Sequence, residues 1–141
     1  MKEKSTNELL KTLKNARDLD ELASIVADDT TDLSFEAYFE LLLKQKGKTR
    51  VQVLKDSGVE RTYGYQILRG ERRPGRDKVI ALGIAAGCTD VELGRLLSLA
   101  GLSRLYSKRS RDAVIIFAVS RGISVVQTNE MLAQMHEPIL S

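Results

Sequence analysis

The sequence predicts an all-α protein, and its apolar spacing and helix-end signals both support that prediction. Apolar residues recur at intervals of three and four, which places them on one face of a helix; one such series is Phe35, Tyr38, Phe39, Leu42 and Leu43. Ser, Thr or Asp is repeatedly followed three residues later by Glu or Gln, a pattern typical of helix starts. It occurs at Ser5/Glu8, Asp18/Glu21, Thr49/Gln52, Thr89/Glu92 and Ser124/Gln127. No segment shows the alternation of a half-buried strand.

These signals divide the chain into three parts. Helices are predicted at about residues 6–17, 19–27, 35–46, 50–57, 61–69, 76–86, 90–100, 111–121 and 125–136. The polar stretch 28–32 separates an acidic N-terminal helical pair from the remaining helices. We therefore predict an acidic helical extension over residues 1–33, a five-helix domain over residues 34–101 and a C-terminal helical hairpin over residues 102–141.

The composition is typical of a globular protein with an aliphatic core. Of the 141 residues, 43% are hydrophobic, 29% are charged and only 5% are aromatic, so Leu, Ile, Val and Ala must form the core. The longest apolar run, residues 113–119, is too short to cross a bilayer. The first residues lack the apolar stretch of a signal peptide. We therefore expect a cytoplasmic protein without a membrane segment.

The residues that support catalysis are scarce. Cys88 is the only cysteine and His136 the only histidine, so neither an intrachain disulfide nor a thiolate metal site can form within this chain. A catalytic triad is poorly supplied for the same reason. We expect no enzyme activity, no cofactor and no metal. Cys88 is predicted to be a small buried residue near a helix end, and His136 to lie on the surface.

Positive charge is concentrated in the middle of the chain. Residues 48–78 contain nine Lys or Arg and four Asp or Glu, whereas residues 1–47 contain seven and ten. The net charge of the whole chain is only +3. A basic region of this kind favours a polyanionic partner.

Within this basic region, the sequence predicts a short helix, a tight turn and a second short helix. The segment Asp56-Ser57-Gly58-Val59-Glu60 separates the predicted helices 50–57 and 61–69. Gly58 allows the chain to turn at positive φ, and Val59 can then fill the core between the two helices. This arrangement projects the second helix outward, as DNA-binding modules do.

The same residues resemble the lambda-repressor-like (XRE-type) helix-turn-helix family over roughly residues 35–100. The resemblance depends on Thr49-Arg50, Val53, Gly58-Val59, Ile67, Gly70, Pro74 and a helix containing Val79, Leu82 and Ala85. Further residues are similar to a group of small XRE-type regulators from Firmicutes: Tyr65-Gln66-Ile67, Arg76-Asp77-Lys78, Leu105-Tyr106 and Arg111-Asp112. The resemblance implies a five-helix lambda-repressor-like domain in a bacterial transcriptional regulator that binds double-stranded DNA.

Carried over position by position, the resemblance implies two sets of DNA contacts. Base edges would be read by Arg61, Thr62, Tyr65 and Gln66, because Arg suits guanine and Gln suits adenine. Phosphates would be bound by Arg50, Arg69, Arg72, Arg73, Arg76 and Lys78.

Three residues depart from the family pattern. The family usually has Ala in place of Leu54 and a β-branched residue in place of Gly64. A large residue opposite a small one preserves volume, so we predict that Leu54 packs over Gly64. Glu60 stands at the helix cap where Ser is commoner; its charge complements the helix dipole but repels DNA.

The sequence leaves two questions open. The chain can instead be a protein-binding adaptor or anti-regulator on a helix-turn-helix scaffold, without base-specific DNA binding. The C-terminal hairpin has more apolar residues than it can bury alone, so it either packs on its own core or forms a homodimer. Residues 47–52 also resemble residues 122–127, a similarity that common helix capping explains equally well.

Overall fold

A computed structural model of the protein describes residues 33–141. This part of the chain folds into seven α-helices and contains no strand. They are α1 (Phe35–Lys46), α2 (Arg50–Ser57), α3 (Arg61–Leu68), α4 (Arg76–Ala86), α5 (Asp90–Leu99), α6 (Ser110–Ser120) and α7 (Val125–Gln134). The all-α prediction is confirmed for these residues, with every helix end within two residues of its predicted position. The helices predicted at 6–17 and 19–27 lie outside the described residues.

Side-chain hydroxyl groups cap the starts of four of the helices. Ser34, Thr49, Thr89 and Ser124 each accept a hydrogen bond from a backbone N–H in the first turn of the adjoining helix. At α5 the cap is reciprocal, because Glu92 accepts a hydrogen bond from the backbone N–H of Thr89. Each cap stabilises its helix by about 1 kcal/mol. The caps predicted at residues 49, 89 and 124 are thereby confirmed.

Helix α4 lies at the centre of the core. Every residue from Val79 to Ala86 is buried, and α4 contacts α1, α2, α5 and α7. A helix covered on all sides must be apolar on all sides, which explains why this segment has no polar face. Helix α4 therefore joins the short helices that precede it to the hairpin α6–α7.

The turn between α2 and α3 is held by a buried serine. Gly58 has φ 74°, and Val59 is 6% exposed, which confirms that Val59 fills the core beside the glycine turn. The Ser57 hydroxyl donates to the carbonyl oxygen of Leu54 at 2.8 Å and accepts from the backbone N–H of Val59 at 3.1 Å. These bonds give the buried turn its polar partners.

Leu54 packs over Gly64, as predicted. A Cβ atom at Gly64 would overlap a terminal methyl group of Leu54, and Leu54 is only 4% exposed. The large side chain on α2 therefore occupies the space that the missing side chain on α3 leaves. This contact fixes how closely the two short helices approach.

Replacing Leu54 with alanine is expected to cost less stability in a Gly64→Ala background than in the wild-type chain. In the wild type the substitution leaves a cavity and costs about 2–5 kcal/mol, whereas a methyl group on residue 64 fills part of that cavity. Chemical denaturation of both single variants and the double variant measures the coupling, expected at about 0.5–3 kcal/mol. Additive losses would contradict the contact.

The C-terminal hairpin packs on the chain's own core. Helix α6 contacts α5, and α7 contacts α4. Ile115, Ala118 and Leu132 are fully buried. The face of the hairpin that contains these residues therefore packs on the chain's own core, which was the first of the two alternatives. Phe117 and Val126 remain 44% and 65% exposed.

The sole cysteine and histidine lie where the sequence predicted. Cys88 is 4% exposed and lies just past the end of α4; burial raises the pKa of its thiol to about 12. It therefore stays protonated and unreactive at neutral pH. His136 is exposed and lies just past the end of α7 with φ 59°.

None of the helices in residues 33–141 has the length and apolarity that crossing a membrane requires.

Candidate nucleic-acid interface

Helix α3 has one face in the core and one face in solvent. Its core face is formed by Gly64, Ile67 and Leu68, all buried. Of the four predicted base-reading residues, Arg61 and Thr62 are exposed and Gln66 is partly exposed. Tyr65 is also partly exposed, and it packs against the core as well. The structure therefore brings these four side chains together along the first two turns of one helix.

Arg61 and Tyr65 contact each other on this helix. The Arg61 guanidinium carbon lies 5.9 Å from the centroid of the Tyr65 ring, at the outer limit of a cation–π contact. Residues four apart on a helix are neighbours, so the contact orients both side chains along α3. A cation–π contact that involves an exposed arginine is weak, so Arg61 can leave it for another partner.

Glu60 caps α3, as predicted from its position. Its carboxylate accepts hydrogen bonds from the backbone N–H groups of Thr62 at 2.9 Å and Tyr63 at 2.8 Å. These hydrogen bonds, that of Tyr63 foremost, lower the pKa of the Glu60 carboxyl. The ionised carboxylate therefore stabilises the first turn of α3 while placing a negative charge close to Arg61.

The loop between α3 and α4, residues 69–75, contains three arginines; we call it the basic loop. Arg72 and Arg73 are exposed, and neither forms an ion pair with another of residues 33–141. Arg69 donates two hydrogen bonds to Glu71, both at 3.2 Å. That pair is about half exposed on both sides, so it contributes roughly 0–1 kcal/mol and a phosphate can replace the carboxylate.

Arg50 and Lys78, two more of the predicted phosphate ligands, lie at helix starts. Arg50 opens α2 and pairs with Glu40 of α1, with Nη2 and Oε2 3.0 Å apart; the two side chains are 41% and 56% exposed. A pair this exposed is weak. Lys78 is partly exposed in the first turn of α4.

Arg76 differs from the other predicted phosphate ligands, because its hydrogen-bond donors are used inside the protein. Its guanidinium donates to both carboxylate oxygens of Asp112, at 3.0 and 2.8 Å. It also donates to the carbonyl oxygens of Ser103 and Arg104, each at 3.1 Å. Only 23% of the side chain is exposed. Arg76 therefore holds α6 and residues 103–104 in place, and we leave it out of the interface.

The acidic partner of Arg76 is a buried residue that sequence reasoning missed. Asp112 is 3% exposed. Burial opposes its ionisation, but hydrogen bonds from Arg76 and from the backbone N–H of Tyr106 outweigh that effect and lower the pKa of its carboxyl. Asp112 is therefore an ionised group in the protein interior, stabilised by the arginine that the sequence had placed beside DNA.

A second pair of the same kind joins the same two helices. Arg111 of α6 donates to both carboxylate oxygens of Asp77 of α4, at 3.0 and 2.9 Å. The signal was present in the sequence, since an Arg-Asp dipeptide lies at the start of both α4 and α6. Local patterns do not show, however, that each arginine pairs with the aspartate of the other helix.

Within residues 33–141, no group of three or more His, Cys, Asp or Glu side chains is placed to hold a metal ion.

None of the protein-family models, curated proteins or solved structures compared with this chain matches it.

Proposed function

We propose that the chain is a sequence-specific DNA-binding transcriptional regulator of the lambda-repressor-like helix-turn-helix family, with α1–α5 as the DNA-binding domain. The observation that supports the proposal best is the placement of Arg61, Thr62 and Gln66. These three side chains lie outside the core on one short helix, whose opposite face is anchored by Gly64 and Ile67. A rigidly held helix with such a polar edge is suited to the major groove.

In this proposal the first two turns of α3 read base edges. Arg61 would donate two hydrogen bonds to a guanine, and Gln66 would pair in the same way with an adenine. Thr62 offers a hydroxyl and a methyl group, and Tyr65 offers a ring that can contact a thymine methyl group. Each of these contacts discriminates between bases because it depends on the edge that a base pair presents.

Phosphate contacts would surround the reading helix. Arg72 and Arg73 of the basic loop supply exposed guanidinium groups, and Lys78 adds a further cation. Arg69 and Arg50 add two more once their weak pairs with Glu71 and Glu40 are exchanged for phosphates. Such contacts fix the register of the protein on the duplex and carry no sequence information. A single module of this kind reads a short site, so we also expect a homodimer that reads two half-sites.

Binding to a random-sequence duplex is expected to weaken steeply with salt. With five phosphate contacts, the slope of log K against log salt concentration is expected to be about −4 to −5. Fluorescence anisotropy between about 50 and 200 mM salt measures it. The double variant Arg72→Ala/Arg73→Ala, as a matched control, should reduce the slope by about 2.

The adaptor alternative leads to the opposite result. A protein-binding adaptor would bind duplex DNA poorly even at about 50 mM salt, and removing Arg72 and Arg73 would change little. That result would overturn the proposal.

A further inference from the structure

Residues 76–106 and residues 111–141 repeat each other, with Arg76 corresponding to Arg111. We call the two segments unit 1 and unit 2. Each consists of two helices joined by a positive-φ glycine turn and ending in a short tail. The units are identical at the positions Arg76/Arg111, Asp77/Asp112, Val79/Val114, Ile80/Ile115, Gly87/Gly122, Val91/Val126, Leu97/Leu132 and Leu105/Leu140.

The backbone repeats even where the sequence does not. In residues 33–141, His136 is the one non-glycine residue with positive φ, at 59°. It corresponds to Gly101 of unit 1, which has φ 73°. A left-handed conformation is uncommon for a residue with a side chain. Both units nevertheless adopt it at this position.

The tails are held by equivalent hydrogen bonds. In each unit the arginine of the first helix donates to two consecutive carbonyl groups of the tail of its own unit. They are those of Ser103 and Arg104 for Arg76, and those of Pro138 and Ile139 for Arg111. Matching contacts at matching positions show that the repeat extends to the polar network as well as to the helices.

Between the units, the contacts are crossed. Arg76 of unit 1 pairs with Asp112 of unit 2, and Arg111 of unit 2 pairs with Asp77 of unit 1. The tails obey the same rule: Asp112 accepts from the backbone N–H of Tyr106, at the end of unit 1. Asp77 accepts from the N–H at the corresponding position of unit 2, Ser141. Each of these polar contacts from unit 1 to unit 2 therefore has an equivalent contact from unit 2 to unit 1.

The helix contacts are reciprocal too. Helix α4 of unit 1 contacts α7 of unit 2, and α5 of unit 1 contacts α6 of unit 2. A contact in which position i meets j while j meets i is the signature of a two-fold, self-complementary interface. The two units of one chain are therefore arranged as the two subunits of a symmetric dimer.

We propose that this two-fold interface also forms between chains: two copies exchange unit 2 and become a homodimer. The exchange preserves the crossed Arg–Asp pairs and the buried helix contacts, because each unit 1 receives an identical unit 2. Only the connection at residues 107–109 must change its path, and these residues are all exposed. The inference rests on the proposed regulator and specifies how it dimerises, with two reading helices related by a two-fold axis.

Charge reversal at one crossed pair tests the exchange. In the variant Arg76→Glu the new carboxylate faces Asp112, and in the variant Asp112→Arg the new guanidinium faces Arg76, so each chain alone contains a like-charge contact. When the two variants are co-expressed with different affinity tags, an exchanged dimer removes the like-charge contact at both interfaces: one interface regains the Arg76–Asp112 pair, and the other brings the introduced carboxylate against the introduced guanidinium. We expect a 1:1 complex with twice the mass of one chain in light scattering.

Two further variants keep the test decisive. The chain carrying both Arg76→Glu and Asp112→Arg restores the pair internally, and its thermal unfolding shows whether the reversed pair is tolerated. Deletion of Ser107, Lys108 and Arg109 removes none of the side chains in the crossed Arg–Asp pairs but prevents unit 2 from folding back, so this variant should be a stable dimer.

A deletion variant that is monomeric or unfolded overturns the proposal, as do co-expressed charge variants that fail to associate although the double variant folds. Neither measurement uses DNA. A failed exchange therefore leaves the DNA-binding proposal to the salt titration.

Discussion

Replacing Asp112 with alanine is expected to lower the free energy of unfolding by about 3–5 kcal/mol. The substitution leaves the guanidinium of Arg76 partly buried without its carboxylate, and it removes the acceptor for the backbone N–H of Tyr106. Desolvation of an unpaired charge is what makes such a loss large. Urea denaturation followed by circular dichroism measures it.

The structure provides a matched control in Asp77, which makes the equivalent contacts in the other unit. The Asp77 side chain is 24% exposed and that of Asp112 only 4%. Because water screens the Asp77–Arg111 pair more strongly, Asp77→Ala should cost less, about 1–3 kcal/mol. Equal losses at both positions would contradict the role given to burial.

The pH dependence of stability is a second readout of the same substitution. The pKa of the Asp112 carboxyl is lowered from its ordinary value of 3.8, so its ionised form stabilises the folded state fully above that value. This stabilisation is lost as the pH falls through the lower folded-state pKa. In Asp112→Ala the free energy of unfolding should therefore depend less steeply on pH below about pH 4. An unchanged acid profile would argue against an ionised Asp112 in the fold.

Replacing Gln66 or Arg61 with alanine is expected to remove preference for the cognate site, at about 1–3 kcal/mol for each contact. Gln66 is the sharper test because it is uncharged: its loss should weaken binding to the selected site while leaving affinity for random duplex unchanged. The site is first obtained by selection from a random DNA pool. Both affinities are then measured at one salt concentration.

Arg73→Ala is the control for this experiment. A phosphate contact carries no sequence information, so this substitution should weaken binding to the selected and the random duplex by the same factor. If Gln66→Ala behaved like Arg73→Ala, helix α3 would not be the reading element.

Local signals predicted the helices well for a physical reason. Caps such as Thr89 and the glycine turns act within one turn of the chain, so neighbouring residues contain the information. The contact between Leu54 and Gly64 was also predictable, because two compensating departures from one family pattern imply that the positions face each other.

The crossed ion pairs were not predictable in the same way. Arg76 and Asp112 are 36 residues apart in sequence, and an arginine beside a basic loop has the same local signature whether it binds phosphate or a buried aspartate. The similarity between residues 47–52 and 122–127 reflects helix capping, because Thr49 and Ser124 both cap a helix. The two Arg-Asp dipeptides are more informative about the repeat. Their meaning becomes clear only from the structure, in which each arginine pairs with the aspartate of the other dipeptide.

The burial of α4 on all sides affects how the protein unfolds. Residues 79–86 supply packing surface to α2 on one hand and to α7 on the other. Unfolding of either α2 or α7 would expose apolar surface on α4. We therefore expect the helices before α4 and the hairpin α6–α7 to unfold cooperatively. Amide protons of α4 should accordingly exchange with solvent only through global opening, and a division of the chain at residue 101 would not yield two independently folding pieces.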